Sequence, residues 1–310
     1  MQTALRHAAR RVARWAKKIL NVILGGIAVL SLKTVQRIDP DWAVDVAGRF
    51  MRRLGPWLPE HRIGRANLAA AFPQWSPVEI ERVLGGAWDN LGRLGAEFAH
   101  FDRLLQLDPA QEGFSRIEFA AGSKERLFRL RDGDKPALLF AAHLANWELP
   151  AFAGATYGLN IALLFRPPNI PGVNRFVLEA RSSRVRKLIP TTRVAPRKII
   201  EALGQRTHAG MLVDQYYGRG AEVTFFGRRT TANPLIARLA RLVDCPIHGS
   251  RVIRLPENRF RLELTPAIEP ARDAQGKVDV VATMQIITSI IEGWIREHPE
   301  QWLWLHRRWR

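Results

Sequence analysis

The chain has 310 residues, enough to bury a sizeable core, and carries 47 Lys and Arg against 29 Asp and Glu, for a net charge of +18. That balance implies an acidic partner, whether nucleic acid, an anionic membrane surface or an acidic carrier protein, and does not choose among them. A single cysteine, Cys245, excludes an internal disulfide and a Cys-based zinc site.

Arg6, Arg10, Arg11, Arg14, Lys17, Lys18, Lys33 and Arg37 surround the apolar run Ile19 to Leu32, with no acid among the first 37 residues. As a helix that run spans roughly 21 Å, short of the ~30 Å hydrocarbon core. No small-x-small cleavage site follows it, so residues 1–37 are expected to form a retained, membrane-embedded or interfacial anchor and not a removed signal peptide. Residues 38–134 read as a helical lead-in. Asp39-Pro40-Asp41 starts a helix through Leu54, which Gly55 to Pro59 ends, and helices follow over Arg62 to Phe72 and Pro77 to Phe101. In the last, Ile80, Val83, Leu84, Ala87, Leu91, Leu94 and Phe98 keep close to one face.

From residue 135 to 310 short apolar runs alternate with helical patterns. Strands are expected over Ala137 to Ala142, Asn160 to Phe165, Ala209 to Val213, Glu222 to Phe226, Ile247 to Ile253 and Arg259 to Thr265. Helices are expected over Leu144 to Tyr157, Gly172 to Arg181, Pro196 to Gln205 and Pro234 to Val243, and Val280, Met284, Ile287, Ile291 and Trp294 make a further helical stripe. The alternation predicts an α/β fold, a mostly parallel central sheet flanked by helices, preceded by the anchoring helix.

His143 stands at the carboxyl end of the first of these strands, in the turn into a helix, where open α/β sheets place their ligands. In one continuous helix His143 and Glu148 would point about 140° apart, so they can meet only if His143 belongs to the turn. A carboxylate holding one ring nitrogen fixes the tautomer and frees the other nitrogen to take a proton from a hydroxyl. The competing reading makes His143 a core histidine beside Trp147 and Glu148 a first-turn acid favoured by the helix dipole.

Further along, Phe165 to Pro171 follows a strand directly, and its prolines stiffen a loop that would aim Arg166, or the nearby Arg181, into the same crevice. An arginine there can bind phosphate or a developing oxyanion. Asp214 ends another strand on the same edge of the sheet, where it could pair with an arginine, hold the base or cap the next turn. Phe225 and Phe226 lie in a hairpin strand, against an apolar ligand or simply the core. The ending EHPEQWLWLHRRWR combines tryptophan and arginine in a way that suits a membrane interface or stacking on bases.

Together these stretches resemble one family. His143-Leu-Ala-Asn146-Trp147-Glu148 resembles the H-x4-D/E core of glycerolipid acyltransferases, in the HxxNWE form of the late acyltransferases of lipid A biosynthesis, the lauroyl and myristoyl transferases. Arg65-Ala66-Asn67-Leu68 to Phe72-Pro73, Phe165-Arg166-Pro167 to Pro171, Asp214-Gln215 to Phe225-Phe226-Gly227, and Pro299-Glu300-Gln301-Trp302 to Arg308-Trp309 resemble further blocks in the same order. Phe165 stands where the family has Tyr, and Ile170 where its loop has Asn.

The resemblance implies a catalytic set of His143, Glu148, Arg181 and Asp214, with Asn146, Arg166, Gln215, Phe225 and Phe226 binding substrate. It implies that His143, oriented by Glu148, helps a lipid hydroxyl attack the thioester of an acyl carrier protein. Neither a metal nor a cofactor is needed, since a thioester is already activated. The expected partners are acyl carrier protein as donor, a lipid A precursor as acceptor and an anionic membrane surface, with no nucleic acid. The expected place is the inner membrane, catalytic part facing the cytoplasm. Transfer to another phospholipid or glycolipid is the alternative activity, and a non-enzymatic basic protein binding membrane or nucleic acid is the alternative class. A spatial test separates the classes: whether His143 and Glu148 come within hydrogen-bond reach at the mouth of an apolar groove.

Overall fold

A computed structural model of the chain describes residues 30–101, 116–167, 171–182, 185 and 187–309, together with positions 15, 25 and 26. Most of the expected anchor lies outside the described residues, and among those described no helix is long and apolar enough to cross a membrane.

The helical lead-in is built by strong local signals. Helix α1 (Pro40–Leu54) starts where the Asp39 carboxylate accepts from the Trp42 amide at 2.9 Å, with Pro40 in the first turn. Helix α2 (Pro59–Ala71) follows, and α3 (Pro77–Ala99) opens on a capping box between Ser76 and Glu79. Helices α1 and α3 pack so closely that a Cβ on Gly92 would meet the Ala47 carbonyl oxygen at 2.3 Å.

Nine strands follow among the described residues: β1 (Ile117–Phe119), β2 (Leu138–Ala141), β3 (Ile161–Phe165), β4 (Lys187–Pro190), β5 (His208–Leu212), β6 (Tyr216–Phe225), β7 (Arg228–Ala232), β8 (Ile247–Arg254) and β9 (Phe260–Ile268). Seven form one sheet in the order β1-β9-β8-β2-β5-β3-β4, in which only the β8–β9 pairing is antiparallel. Parallel neighbours require crossovers, and these carry helices α4 (Ser123–Asp132), α5 (Leu149–Thr156), α6 (Pro171–Ser182), α7 (Ala195–Gly204) and α8 (Leu235–Leu242), with α9 (Val280–Glu297) after the last strand. Each face of the sheet has its own core. Leu138 and Phe140 of β2 join the larger one with residues of α3, α7, α8 and α9, while Leu139 between them joins the other with residues of α4 and α5.

The expected mixed α/β architecture with a mostly parallel sheet is present. Strands β6 and β7 pair as a hairpin whose turn residues Phe226 and Gly227 both have positive φ, 52° and 69°. The helix expected from Leu144 begins only at Leu149, because the residues after His143 form a separately braced loop. Strands β1 and β4 and helix α4 had no counterpart in the sequence reading. The two strands are short, and the helix Ser123–Asp132 is so rich in charge that its apolar face is narrow.

Candidate active site

The parallel register of β2 and β5 pairs Leu138 with Ala209 and Ala141 with Leu212. Carried past the strand ends, the same offset of 71 residues sets His143 beside Asp214. The His143 ring Nδ1 lies 2.8 Å from Asp214 Oδ1, and the His143 backbone amide donates to Asp214 Oδ2 at 3.0 Å. From the far side the Trp302 indole N–H donates to that second oxygen at 2.7 Å. Burial pushes the Asp214 carboxyl upward, yet the adjacent imidazole of His143 and these hydrogen bonds outweigh it and hold the pKa down at about 2. An ionised carboxylate only accepts, so Nδ1 of His143 carries the hydrogen and Nε2 presents a lone pair. The Gln215 side-chain amide donates toward that lone pair from 3.3 Å, and Trp147 meets the ring edge-on at a centroid distance of 5.0 Å.

Glu148 does not hold the imidazole. Its two oxygens are taken by Arg181: Nε donates to Oε2 at 2.9 Å and Nη2 contacts Oε1. Among the described residues no hydrogen bond joins Glu148 to His143. The sequence-based assignment of the orienting carboxylate is therefore corrected from Glu148 to Asp214. The cause is the loop: Glu148 sits at the cap of α5 facing α6, while Asp214 reaches the ring from the adjacent strand. His143, Glu148 and Arg181 nevertheless line one cavity, but the spatial test fails for the pair it named: Glu148 is bonded to Arg181, and the carboxylate within reach of His143 is Asp214.

The loop itself is held by a buried polar network. Ala145 adopts φ 45°, which an L side chain rarely does, and its amide donates to the Gln301 carbonyl at 2.8 Å. Asn90 of α3 donates to both the Ala145 and Gln301 carbonyls at 3.2 Å. The Asn146 side-chain amide donates to Glu97 at 2.9 Å, and Glu97 in turn pairs through both oxygens with Arg254 of β8. Arg254 reaches Asn90 at 3.0 Å, while its backbone N–H and C=O bond the Gln301 side chain. Trp302 bridges to Leu144, and Leu303 donates to the His143 carbonyl at 3.1 Å.

Several expected substrate contacts are thereby relocated. Asn146 is buried and committed to Glu97, and it does not line the cavity. Phe225 and Phe226 pack edge-on against each other, Phe225 edge-on against Trp302 and Phe226 tilted against Trp304, inside the core. Trp302 and Trp304 are 3% and 0% exposed and Arg308 2%, which removes all three from any membrane-interface or base-stacking role. Instead the C-terminal block straps the loop that begins at His143. The Asn67 amide donates to the Trp304 and His306 carbonyls at 2.7 and 2.6 Å, and Phe72 packs on Trp304 and Phe226. Glu97, Arg254, Asn90 and Trp302 were missed as loop supports. The available signal was Asn90 and Glu97, seven residues apart beside the apolar stripe of α3.

Arg166, by contrast, is exposed at the cavity wall, and Gln215 and Arg181 line it too. The cavity has a volume of about 1060 Å³. Its apolar walls come from both cores: Leu139, Ile161, Leu163 and Leu264 on one side of the sheet, Met211, Val213, Leu235 and Leu239 on the other. A tautomer-fixed imidazole at the wall of an apolar cavity, with a guanidinium nearby, is equipped to deprotonate a hydroxyl and to stabilise negative charge.

These features fit an acyl-transfer site, and the chain belongs to the bacterial lipid A biosynthesis acyltransferase family, whose sequence profile matches residues 6–310. It is 24% identical over 263 residues to the lipid A biosynthesis palmitoleoyltransferase of Escherichia coli K12, covering 80% of this chain and 78% of that protein. The lipid A biosynthesis acyltransferase of Shigella flexneri matches with the same identity and coverage. Among solved structures, the 1-acyl-sn-glycerophosphate acyltransferase PlsC of Thermotoga maritima is 13% identical, with a TM-score of 0.38 over 92% of this chain and 99% of that one. Family membership makes this chain a lipid acyltransferase.

Proposed function

We propose that the protein moves a fatty acyl chain from the thioester of an acyl carrier protein to a hydroxyl of a lipid A precursor at the cytoplasmic face of the inner membrane. The acceptor hydroxyl displaces the Gln215 amide from Nε2 of His143 and gives its proton to that nitrogen as its oxygen attacks the thioester carbonyl. Asp214 keeps the ring in place and stabilises its cationic form without itself taking the proton, a division of labour known from hydrolase triads. As the C–O bond is completed the C–S bond breaks, and the departing thiolate recovers the proton from Nε2. Arg181, more than Arg166, supports the oxyanion or a substrate phosphate, and Glu148 fixes the direction of the Arg181 guanidinium. The apolar cavity receives acyl chain.

The observation that carries this reading is the 2.8 Å contact between Asp214 and His143, a histidine that lines the apolar cavity together with Gln215, the neighbour of its other nitrogen. Transfer to another phospholipid or glycolipid uses the same groups, and Ile170, in place of the loop amide usual in the family, gives that second reading its one specific support. Mass spectrometry of lipids from cells with and without the protein tests both. Loss of one acyl chain from a lipid A species supports the first, loss from another lipid the second, and an unchanged lipid profile with no transfer by the purified enzyme refutes both.

A further inference from the structure

The cavity wall continues onto the molecular surface. Ile200, Tyr217 and Leu242 line the cavity and are 38%, 47% and 71% exposed. They come from α7, the start of β6 and the last residue of α8, and α7 touches α8. Val194, just before α7, adds another exposed apolar side chain. The same helices already supply Ile199, Leu203, Ile236 and Leu239 to the core. The exposed set is therefore additional to what folding buries.

Arginine is interleaved with this apolar rim. Arg193 and Arg238 line the cavity and are exposed, and among the described residues neither side chain has an ion pair or hydrogen bond. Arg197 and Lys198 are exposed on α7 beside them. The one acid on α7 is Glu201, and α8 has none. Apolar side chains flanked by uncompensated cations match the headgroup layer of an anionic leaflet, where each part meets its preferred surroundings.

We infer that the α7–α8 rim is a portal that seats on an anionic phospholipid leaflet, so that the acceptor's chains remain in lipid while its reacting hydroxyl enters toward His143. This inference rests on the acyl-transfer reading for its purpose but concerns a different surface. A second apolar and basic face exists on and just after α1, where Trp42, Phe50 and Trp57 are exposed among Arg49, Arg52 and Arg53. That face does not line the cavity and would allow binding with the portal turned to water. The test must therefore report depth at the portal itself.

In the full-length chain carrying Cys245→Ser, a nitrobenzoxadiazole label would be placed through Val194→Cys, Leu242→Cys or, as comparator, Val281→Cys, an exposed apolar site on α9 outside the cavity. On phosphatidylglycerol-containing vesicles the labels at 194 and 242 should shift to the blue and become quenchable by lipid-borne nitroxide, while the label at 281 stays in water. Arg193→Gln with Arg238→Gln should weaken the shift most at low salt, and its difference from the unsubstituted protein should narrow as salt is raised. Labels at 194 and 242 that remain water-exposed on a protein that sediments with the vesicles would overturn the portal, as would equal shifts at all three positions or equal shifts on neutral vesicles. Should the Leu242 variant fail to fold, the label at 194 decides. Carrying His143→Ala in addition should leave insertion unchanged while removing transfer, so failure of the portal and failure of the base are read separately.

Discussion

Asp214 accepts three hydrogen bonds and meets almost no solvent, so its charge is committed to the imidazole beside it. His143→Ala should abolish transfer in a folded protein, and Asp214→Asn should cost on the order of 10² to 10⁴ in initial rate by releasing the tautomer. Wild-type turnover by either would end the dyad assignment. The same carboxyl gives a stability prediction. Folding lowers its pKa from 3.8 to about 2, so the stabilisation is fully present above about pH 4 and is lost as pH falls through about 2. Denaturant titrations across that window should show the acid-induced loss shrinking in Asp214→Asn. In the proposed mechanism Glu148 acts one step away, through the Arg181 it pairs with. Glu148→Ala should lose most of the rate, and Arg181→Ala added to it should cost little more, because the first change already frees the guanidinium. Full additivity of the two losses would mean that they work independently.

Between β2 and α5, the loop keeps its shape because α3 and the C-terminal block bond to it, and Arg254 of β8 braces both. Its strain at Ala145 persists only while those bonds do. Glu97→Leu leaves the Arg254 guanidinium buried without its carboxylate and should destabilise the fold by roughly 3–5 kcal/mol, whereas Glu97→Leu with Arg254→Met should recover much of that loss. Chemical denaturation of the two variants checks it, and a double variant no more stable than the single one would contradict it. The sequence reading reached this region unevenly for a physical reason. Strand period and the Pro and Gly punctuation are local, so β2, β5 and the position of His143 at a strand end were legible. Asp214 was legible as an acid on the same edge, with holding the base among its possible roles. Its choice as partner depended on strand register across 71 residues, which the hydrophobic pattern of either strand alone does not fix. The early start assigned to α5 failed because Asn146 and Ala145 spend their polar groups on Glu97, Asn90 and Gln301, outside the helix.

At the scale of the whole molecule the excess of 47 basic over 29 acidic residues has more than one use. Some of it is structural: Arg254 and Arg308 are inside, and Arg181 is held by Glu148. Others among the described residues, including Arg193, Arg197, Lys198 and Arg238, are exposed, where they can attract an acidic protein or an anionic leaflet. Acyl carrier protein is acidic, and a broad basic surface should raise its encounter rate in a manner that weakens as salt screens the field. Coenzyme A is anionic as well, but a small ligand would depend on a few arginines at the cavity and feel the distant charge less. The same acyl chain presented on the two carriers, with lipid and detergent fixed, should therefore react with higher kcat/KM from the protein carrier. That advantage should narrow as ionic strength rises through the range where the Debye length falls from about 30 Å to about 8 Å. Equal efficiency from the coenzyme A thioester, with no steeper salt dependence for the protein carrier, would assign the surface charge to the membrane and leave the donor to be recognised by the cavity alone.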